Sequence, residues 1–196
     1  HQLDNLKIDY VTLTGLQNVV REGEWKVTVF VWYGEGIAEV IRVMPGFAEF
    51  ALGLAVDVGT TSVAGFLCDL ETGRVLASES MMNPQTPYGD DVMARITYAM
   101  TRDNGLETMH AAILKGLNQI VARVCKTAGY QPEDVLEAVL VGNTCMDHIF
   151  LKIPPNYVGV SPFTPAVHSA VDLKAREFGL EICPSGNVHV LPNEAG

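Results

Sequence analysis

The segment of the sequence best suited to chemistry is residues 57–62, which read Asp-Val-Gly-Thr-Thr-Ser. Gly59 permits a tight turn, and such a turn aims successive backbone N–H groups into one concavity that suits a phosphate. Asp57 ends an apolar stretch, and its carboxylate is suited to holding Mg²⁺ through water molecules. Three hydroxyl groups follow the glycine and could donate further hydrogen bonds; they belong to Thr60, Thr61 and Ser62. We therefore predict a phosphate-binding turn, although Asp, Gly and Thr also favour an ordinary hairpin turn.

A second polar segment, residues 142–144, follows an apolar stretch and precedes a short helical pattern. Open α/β sheets bind ligands at such connections, where a strand ends and the following helix begins. Gly142, Asn143 and Thr144 are therefore candidates for cofactor binding. A plain turn followed by a helix N-cap explains these residues almost as well.

Three short apolar segments surround the first motif and must position it. They span residues 54–58, 62–70 and 74–80, and connections of only three residues join them. Neighbouring parallel strands need long crossovers, whereas antiparallel strands can be joined by tight turns. The three segments must therefore form an antiparallel meander.

The sequence after the meander alternates helices with strands. One predicted helix is capped by Asp90 and Asp91 and runs towards Met100, and the next carries an apolar stripe over residues 106–124 and ends at Gly129. Two further strands are predicted at residues 135–141 and 187–191, with shorter helices at residues 144–150 and 173–178. A meander extended by crossover-linked strands is the ribonuclease-H-like arrangement, an α/β fold in which helices lie on the faces of a mixed sheet.

The first part of the chain has a different pattern. A helical stripe that ends at Gly23 is followed by two β-rich segments, and a Pro-Gly pair at residues 45–46 marks a boundary. We therefore predict a partial small α+β unit at residues 1–50 and a second, α/β unit at residues 53–196.

Composition and charge exclude several classes of function. The 196 residues include 13 basic and 23 acidic side chains, and this net charge of −10 argues against general binding to nucleic acid or an anionic membrane. No apolar run approaches the roughly 20 residues of a membrane span. The four cysteines are widely separated, as is typical of free thiols in a reducing compartment, so we expect a cytoplasmic protein. A polyanionic ligand would be held by backbone amides, hydroxyls and a metal ion rather than by lysines.

Residues 54–64 resemble the first phosphate motif of the superfamily of actin, sugar kinases and heat-shock-chaperone ATPases. Other segments resemble, more narrowly, the ATP-dependent reductive activators of corrinoid-dependent methyltransferases. These segments are Asn83-Pro84-Gln85 with Tyr88-Gly89, Asp91-Val92 and Arg95-Ile96, then Val141-Gly142-Asn143-Thr144 with Met146, then Leu191-Pro192-Asn193 with Ala195-Gly196. The resemblance covers about residues 25–196, with the motifs in the family's order.

The resemblance implies an actin-like ATPase that binds ATP and Mg²⁺ and helps to return an inactive Co(II) corrinoid to Co(I) on a partner corrinoid protein. It places Asp57 on the Mg²⁺ side of the nucleotide and residues 59–62 around the β- and γ-phosphates. Gln85 and Asp91 become candidates for orienting the attacking water. A helix cap is the alternative, and favoured, role of Asp91.

The family typically joins an iron-sulfur module, a middle domain and a C-terminal ATPase domain, and its superfamily clamps a nucleotide between two similar halves. This chain has no iron-sulfur cysteine motif, and the family's second phosphate motif and adenosine motif would follow residue 196. The resemblance therefore implies a fragment with part of the middle domain and the first half of the ATPase domain. We expect the iron-sulfur cluster elsewhere in the parent protein, and we expect this chain alone to be inactive.

Two other functions stay open on the sequence alone. The chain could be an interaction module that docks a corrinoid protein, or forms a homodimer, without ATPase activity of its own. It could also be a sugar or small-acid kinase of the same superfamily, because residues 57–62 suit those enzymes as well. The Asn-Pro-Gln, Tyr-Gly and Val-Gly-Asn-Thr segments argue against the kinase.

Overall fold

The computed structural model describes residues 5–34 and 36–192, so Glu35 and the last residues of the Leu-Pro-Asn segment, 193–196, lie outside it. Within the described residues the strands are β1 Leu6–Ile8, β2 Val27–Gly34, β3 Ile37–Pro45, β4 Leu52–Val58, β5 Ser62–Asp69, β6 Val75–Met82, β7 Val135–Gly142, β8 Val171–Lys174 and β9 Asn187–Val190. The helices are α1 Tyr10–Glu22, α2 Val92–Thr101, α3 Gly105–Ala128, α4 Thr144–Phe150 and α5 Ala175–Phe178. No helix of this described part combines the length and apolarity that a membrane crossing requires.

The larger of two sheets has the strand order β6-β5-β4-β7-β9-β8. Strands β4, β5 and β6 form the predicted antiparallel meander. Strand β7 pairs parallel to β4, and β9 pairs parallel to β7, so each is reached by a crossover. The predicted ribonuclease-H-like mixed sheet is therefore confirmed. Strand β8, antiparallel to β9 at the sheet edge, is an addition that the sequence analysis did not predict.

Helix α3 packs along one face of this sheet and contributes an apolar stripe to the core. Its buried stripe consists of Met109, Ile113, Leu117, Ile120, Val121 and Val124. These side chains share one apolar cluster with Leu54 and Val63 of the neighbouring strands. Gly65 permits the close approach of helix and sheet, because a Cβ at this position would lie 2.4 Å from Cγ2 of Ile120.

The helix ends agree with the residues predicted to set them. The Asp91 carboxylate accepts a hydrogen bond of 2.7 Å from the Ala94 N–H and so caps α2. Gly129, at a φ of +81°, ends α3 in the left-handed conformation that favours glycine. Gly23 follows the last residue of α1. These local signals therefore act as the sequence indicates.

The smaller sheet, which lies within residues 6–34 and 36–45, has the order β1-β3-β2 with α1 packed on β3. Strands β2 and β3 form the expected antiparallel pair, whereas the short β1, parallel to β3, was not predicted. Among the described residues, three ion pairs join this unit to the larger one: Asp9 with Arg176, Arg42 with Asp134, and Glu39 with Lys174. Ring contacts through Phe50 extend to Phe30 and Tyr130. The junction therefore combines charged and aromatic contacts.

The change Asp9→Ala tests how much the junction stabilises the chain. Burial alone would raise the pKa of Asp9, but hydrogen bonds from Ser185, Arg176 and the Val11 N–H lower it below its ordinary value of 3.8. The ionised carboxylate therefore adds stability above pH 3.8 that is lost as the pH falls through the lowered pKa. At pH 7 we expect the variant to lose about 2 kcal/mol in the free energy of unfolding, measured by urea denaturation.

The matched control for Asp9→Ala is Glu107→Ala. Glu107 makes an exposed ion pair of 3.9 Å with Lys152, and such pairs contribute less than about 1 kcal/mol. If Asp9→Ala costs no more than this control, the junction does not depend on the buried carboxylate.

His148 provides a second test, because its ring ties helix α4 to a loop. Nδ1 lies 2.7 Å from the Thr144 carbonyl oxygen and Nε2 accepts a hydrogen bond of 3.0 Å from the Ala166 N–H, which requires a neutral ring protonated on Nδ1. Burial lowers the pKa of His148 from its ordinary value of 6.5, outweighing the opposing effect of the Thr144 bond. The unfolded chain therefore binds the proton more readily, and stability must fall as the pH drops below 6.5.

We expect His148→Gln to flatten this dependence between pH 5 and pH 7, which urea denaturation at several pH values would measure. His168→Gln, at an exposed position, is the control and should leave the dependence as in the unsubstituted chain. Equal pH profiles for the two variants would contradict the assigned role of His148.

Candidate functional site

The two polar segments singled out from the sequence lie side by side at one edge of the larger sheet. Residues 59–61 connect β4 to β5, and Val58 is in register with both Val63 and Gly142. The ends of the parallel strands β4 and β7 therefore meet, and residues 142–144 lie next to the turn. This edge, at the carboxyl ends of parallel strands, is where open α/β sheets bind ligands.

The carbonyl groups of the turn are all bonded by donors from one following segment. The Asn83 side chain donates from Nδ2 to the Gly59 oxygen at 2.7 Å, and the Asn83 backbone N–H donates to the Thr61 oxygen at 2.8 Å. Arg95 donates from Nη2 to the Thr60 oxygen at 2.5 Å. Three consecutive carbonyl groups are thus fixed towards Asn83 and Arg95.

These three hydrogen bonds to the carbonyl groups determine where the amide groups of the turn point. In a trans peptide unit the N–H is opposed to the C=O, so the N–H groups that follow the three carbonyls must point away from Asn83 and Arg95. Among the described residues, no hydrogen bond uses the N–H of Thr60 or Thr61 as donor. Thr61 and Ser62 are exposed to solvent. The turn therefore presents backbone donors, with hydroxyl groups beside them, on an open surface that suits an anion.

Asn143 connects the second segment to the turn. Its Nδ2 donates to the Thr60 hydroxyl oxygen at 3.1 Å, while its Oδ1 accepts from the N–H groups of Cys145 and Met146 at 3.1 Å. The same side chain therefore caps α4 and positions Thr60. The half-buried Thr144 accepts the His148 bond described above through its carbonyl oxygen.

Gly142 permits the close contact between the two strand ends. A Cβ at this position would lie 2.8 Å from Oδ1 of the buried Asp147 and 3.2 Å from the Val58 oxygen. A side chain at this position would therefore have to displace the Asp147 carboxylate and would crowd the Val58 oxygen.

Asp57 lies on the sheet face that α3 does not cover. It is exposed, whereas its neighbours Val56 and Val58 are buried on the helix side. Its partners in register are Ala64 and Val141, so its surroundings contribute no further carboxylate from the adjacent strands. Across the described residues there is no group of three or more potential metal ligands. A lone exposed carboxylate fits an Mg²⁺ ion that keeps several water molecules and takes its other ligands from phosphates.

The residues considered for orienting water have structural partners. Gln85 is fully buried, with Oε1 accepting from Nη1 of Arg95 at 3.3 Å and Nε2 donating to the Met109 oxygen at 3.3 Å. Asp91 is the N-cap of α2. Catalytic roles for Gln85 and Asp91 stay predictions, and in this arrangement the Gln85 amide is shielded from solvent.

Sequence reasoning did not identify Asn83 and Arg95 as parts of the site. Both are buried, and Arg95 has no exposed surface. A usable signal existed in helix α2, where Arg95 occupies the same face as Val92, Ile96 and Ala99 at the three- and four-residue spacing of an apolar stripe. An arginine on a core-facing stripe indicates a buried cation with a specific task.

The cysteines of the described chain are free thiols. Burial raises the pKa of Cys125 to about 11 and that of Cys145 to about 12. Thiols in this state are poor nucleophiles and poor metal ligands at neutral pH. The site chemistry therefore rests on oxygen and nitrogen groups.

Comparison with known proteins identifies the family of this chain. Residues 52–196 match the family model of the RACo middle region, and residues 1–49 match that of the RACo linker region. The corrinoid activation enzyme RamQ of Eubacterium limosum is 39% identical over 140 residues, which are 71% of this chain and 24% of RamQ. A solved structure of a reductive activator for corrinoid, iron-sulfur protein is 35% identical, with a TM-score of 0.87 over 99% of this chain and 31% of that one.

The chain thus spans less than a third of the length of either relative. The match of fold is nevertheless close over nearly all of its residues, and the two family models between them cover almost the whole sequence. On this evidence the chain belongs to the RACo family of corrinoid reductive activators.

Proposed function

We propose that this chain supplies the first phosphate-binding turn of an ATP site in a longer activator, which uses ATP to help reduce a Co(II) corrinoid to Co(I) on a corrinoid protein. The single observation that carries the nucleotide part is the fixed direction of the turn: its carbonyls are bonded by Asn83 and Arg95, so its amides are left for an anion. The corrinoid part is supported by membership of the RACo family.

Different residues at the sheet edge bind different parts of the nucleotide. The amides of Thr60, Thr61 and Ser62 bind the β- and γ-phosphates, with hydroxyl groups as additional donors. Asn143 keeps Thr60 in place. Asp57 holds Mg²⁺ through water, and the ion neutralises charge on the phosphates. This arrangement needs no surface lysine, in agreement with the low lysine and arginine content of the chain.

The reduction itself transfers one electron to Co(II), and we propose that an iron-sulfur cluster outside this chain delivers it. This chain contributes the nucleotide site, and a second segment completes that site from the open side. The face around Asp57 is exposed, as such a shared site requires. We also propose residues 1–50 and 53–196 as separate domains, which the two sheets support. We also propose a cytoplasmic location, because free thiols are typical of proteins in a reducing compartment.

Two relatives, by their names, activate a corrinoid or a corrinoid iron-sulfur protein, so we propose a corrinoid protein as partner. A homodimer stays a prediction. Membership of the RACo family disfavours the small-molecule kinase. The competing function is docking of a partner protein without nucleotide chemistry. The next two experiments distinguish that function from the proposed ATP site.

The change Gly59→Ala tests the turn. A Cβ there would lie 2.8 Å from the Ser62 backbone oxygen, so the turn must shift and its amides must move with it. We expect MgATP affinity to fall about tenfold or more, measured by calorimetry on a polypeptide that carries this chain and the second half of the nucleotide site.

The matched control is Gly15→Ala in helix α1, where nothing lies within 4 Å of the added Cβ. This control should bind MgATP like the unsubstituted protein. Unchanged affinity in Gly59→Ala would favour the docking module over the ATP site.

The change Asp57→Ala tests the metal. Because Asp57 is exposed, we expect the fold to persist while Mg²⁺-dependent ATP hydrolysis by the same longer polypeptide is abolished. Asp103→Ala, an exposed carboxylate in the loop between α2 and α3, is the charge-matched control and should hydrolyse ATP normally. Retained hydrolysis in Asp57→Ala would remove this residue from the site.

A further inference from the structure

Arg95 is a cation buried directly beneath the turn. Its side chain has no exposed surface, and no carboxylate of the described residues lies within 4 Å of it. Its donors reach neutral acceptors only: the Gly89 oxygen at 3.0 Å from Nε, the Gln85 Oε1 at 3.3 Å and the Met146 sulfur at 3.0 Å from Nη1, and the Thr60 oxygen at 2.5 Å from Nη2. The guanidinium is thus hydrogen-bonded but has no directly paired counter-ion.

Such a buried charge is costly, and its hydrogen bonds alone do not explain it. A charge removed from water without an opposite charge is strongly disfavoured, whereas a neutral amide could bind some of the same carbonyls. Burial lowers the pKa of Arg95, and the opposing effects of Cys145 and of Asp90 and Asp91 at the start of α2 are smaller. Arginine nevertheless stays charged in proteins. The positive charge therefore calls for a partner outside the described residues.

The peptide bond between Thr60 and Thr61 links this charge to the open surface. The guanidinium polarises the Thr60 carbonyl, and the N–H on the opposite side of the same peptide becomes a stronger donor. The low-dielectric core also screens the charge less than water would. An anion bound at the turn would thus feel the charge of Arg95 without touching it.

The sequence around the turn contains few other cationic side chains, so the charge of Arg95 matters for the binding of an anion. Apart from Arg95, residues 53–98 contain a single lysine or arginine, Arg74, and it lies in the turn between β5 and β6. That turn is at the end of β5 opposite to residues 59–61. The chain as a whole carries a net charge of −10, which repels a polyphosphate. Arg95 is therefore the cationic side chain that these residues hold against the turn.

We propose that Arg95 is a positioning residue for phosphate: it fixes the turn and supplies the positive charge that offsets a bound polyphosphate, acting through the Thr60–Thr61 peptide. This inference rests on the proposed function, because it assumes that the turn binds phosphate. It assigns a role to the Arg95-Ile96 motif, and it explains Gln85 as the neutral partner that leaves the arginine charge uncompensated.

The test is an NMR titration with inorganic pyrophosphate, a probe without adenosine contacts, of a polypeptide that carries the ¹⁵N-labelled 196-residue chain together with the second half of the nucleotide site. Four variants are compared with the unsubstituted chain. Arg95→Gln removes the charge and Arg95→Lys keeps it. Gln85→Glu keeps the arginine and an acceptor for its Nη1, removes the Nε2 donor to the Met109 oxygen, and places a carboxylate beside the guanidinium. Arg123→Gln, at an exposed position on α3, changes the net charge equally and is the matched control.

We expect pyrophosphate to shift the amide signals of Thr60, Thr61 and Ser62 in the unsubstituted chain. The affinity should fall roughly tenfold to a hundredfold in Arg95→Gln, the order that one nearby charge contributes at intermediate dielectric. Gln85→Glu should lose affinity as well, because its carboxylate neutralises the guanidinium. Arg95→Lys should retain more affinity than Arg95→Gln, and Arg123→Gln should bind like the unsubstituted chain.

The outcomes separate the two proposals. If pyrophosphate does not perturb the turn of the unsubstituted chain, the proposed phosphate site fails, and this inference fails with it. If the unsubstituted chain binds and Gln85→Glu binds as well as Arg123→Gln, Arg95 has only a structural role and the inference alone is overturned. Should Arg95→Gln not fold, as seen from a collapsed amide spectrum, Gln85→Glu decides, because it leaves the arginine in place.

Discussion

Three hydrogen bonds to consecutive carbonyl groups determine what the site can do. Asn83 and Arg95 bind the backbone oxygens of residues 59–61, and the planarity of the peptide unit then turns the following amides outward. Without these donors a turn of this sequence could satisfy its carbonyls with water and adopt several conformations. With them, the backbone donors are ordered before any ligand arrives, and preorganisation of this kind lowers the entropic cost of binding.

The rest of the fold supports these bonds. The meander brings β6 beside β5, so that Asn83 leaves the end of β6 next to the turn. Asn83 also accepts the Gln85 N–H at 2.8 Å and thereby shapes the loop that leads to α2. Helix α2 then inserts Arg95 into the core, while α3 packs against the sheet from the same side. The parallel pairing of β4 and β7 adds Asn143 from the other direction. Distant parts of the chain thus meet on one short turn.

Much of this architecture is predictable from local patterns. Alternating apolar segments with three-residue connections predict the meander, and Asp91 and Gly129 mark helix ends by simple capping chemistry. Other features depend on tertiary contacts that no local pattern encodes. Strand β1 has three residues and gains its pairing from β3, and β8 is a strand because β9 offers an edge.

The hydrogen bonds from Asn83 and Arg95 to the carbonyl groups of the turn also depend on tertiary contacts that no local pattern encodes. Asparagine is typical of turns and arginine of the exposed faces of helices. Residue type alone therefore assigns neither Asn83 nor Arg95 to the site. The motif resemblance includes both among its matching residues but assigns neither a role in the site. The structure supplies one, since their donors meet carbonyl groups that lie more than twenty residues earlier in the chain.

The most direct test of this account is a crystal structure of a polypeptide that carries this chain together with the second half of the nucleotide site, bound to Mg²⁺ and a non-hydrolysable ATP analogue. We expect phosphate oxygens within hydrogen-bonding distance of the amides of Thr60, Thr61 and Ser62, with Arg95 still bonded to the Thr60 oxygen behind them. A nucleotide bound elsewhere, or a turn whose carbonyls have left Asn83 and Arg95 to face the phosphates, would contradict it.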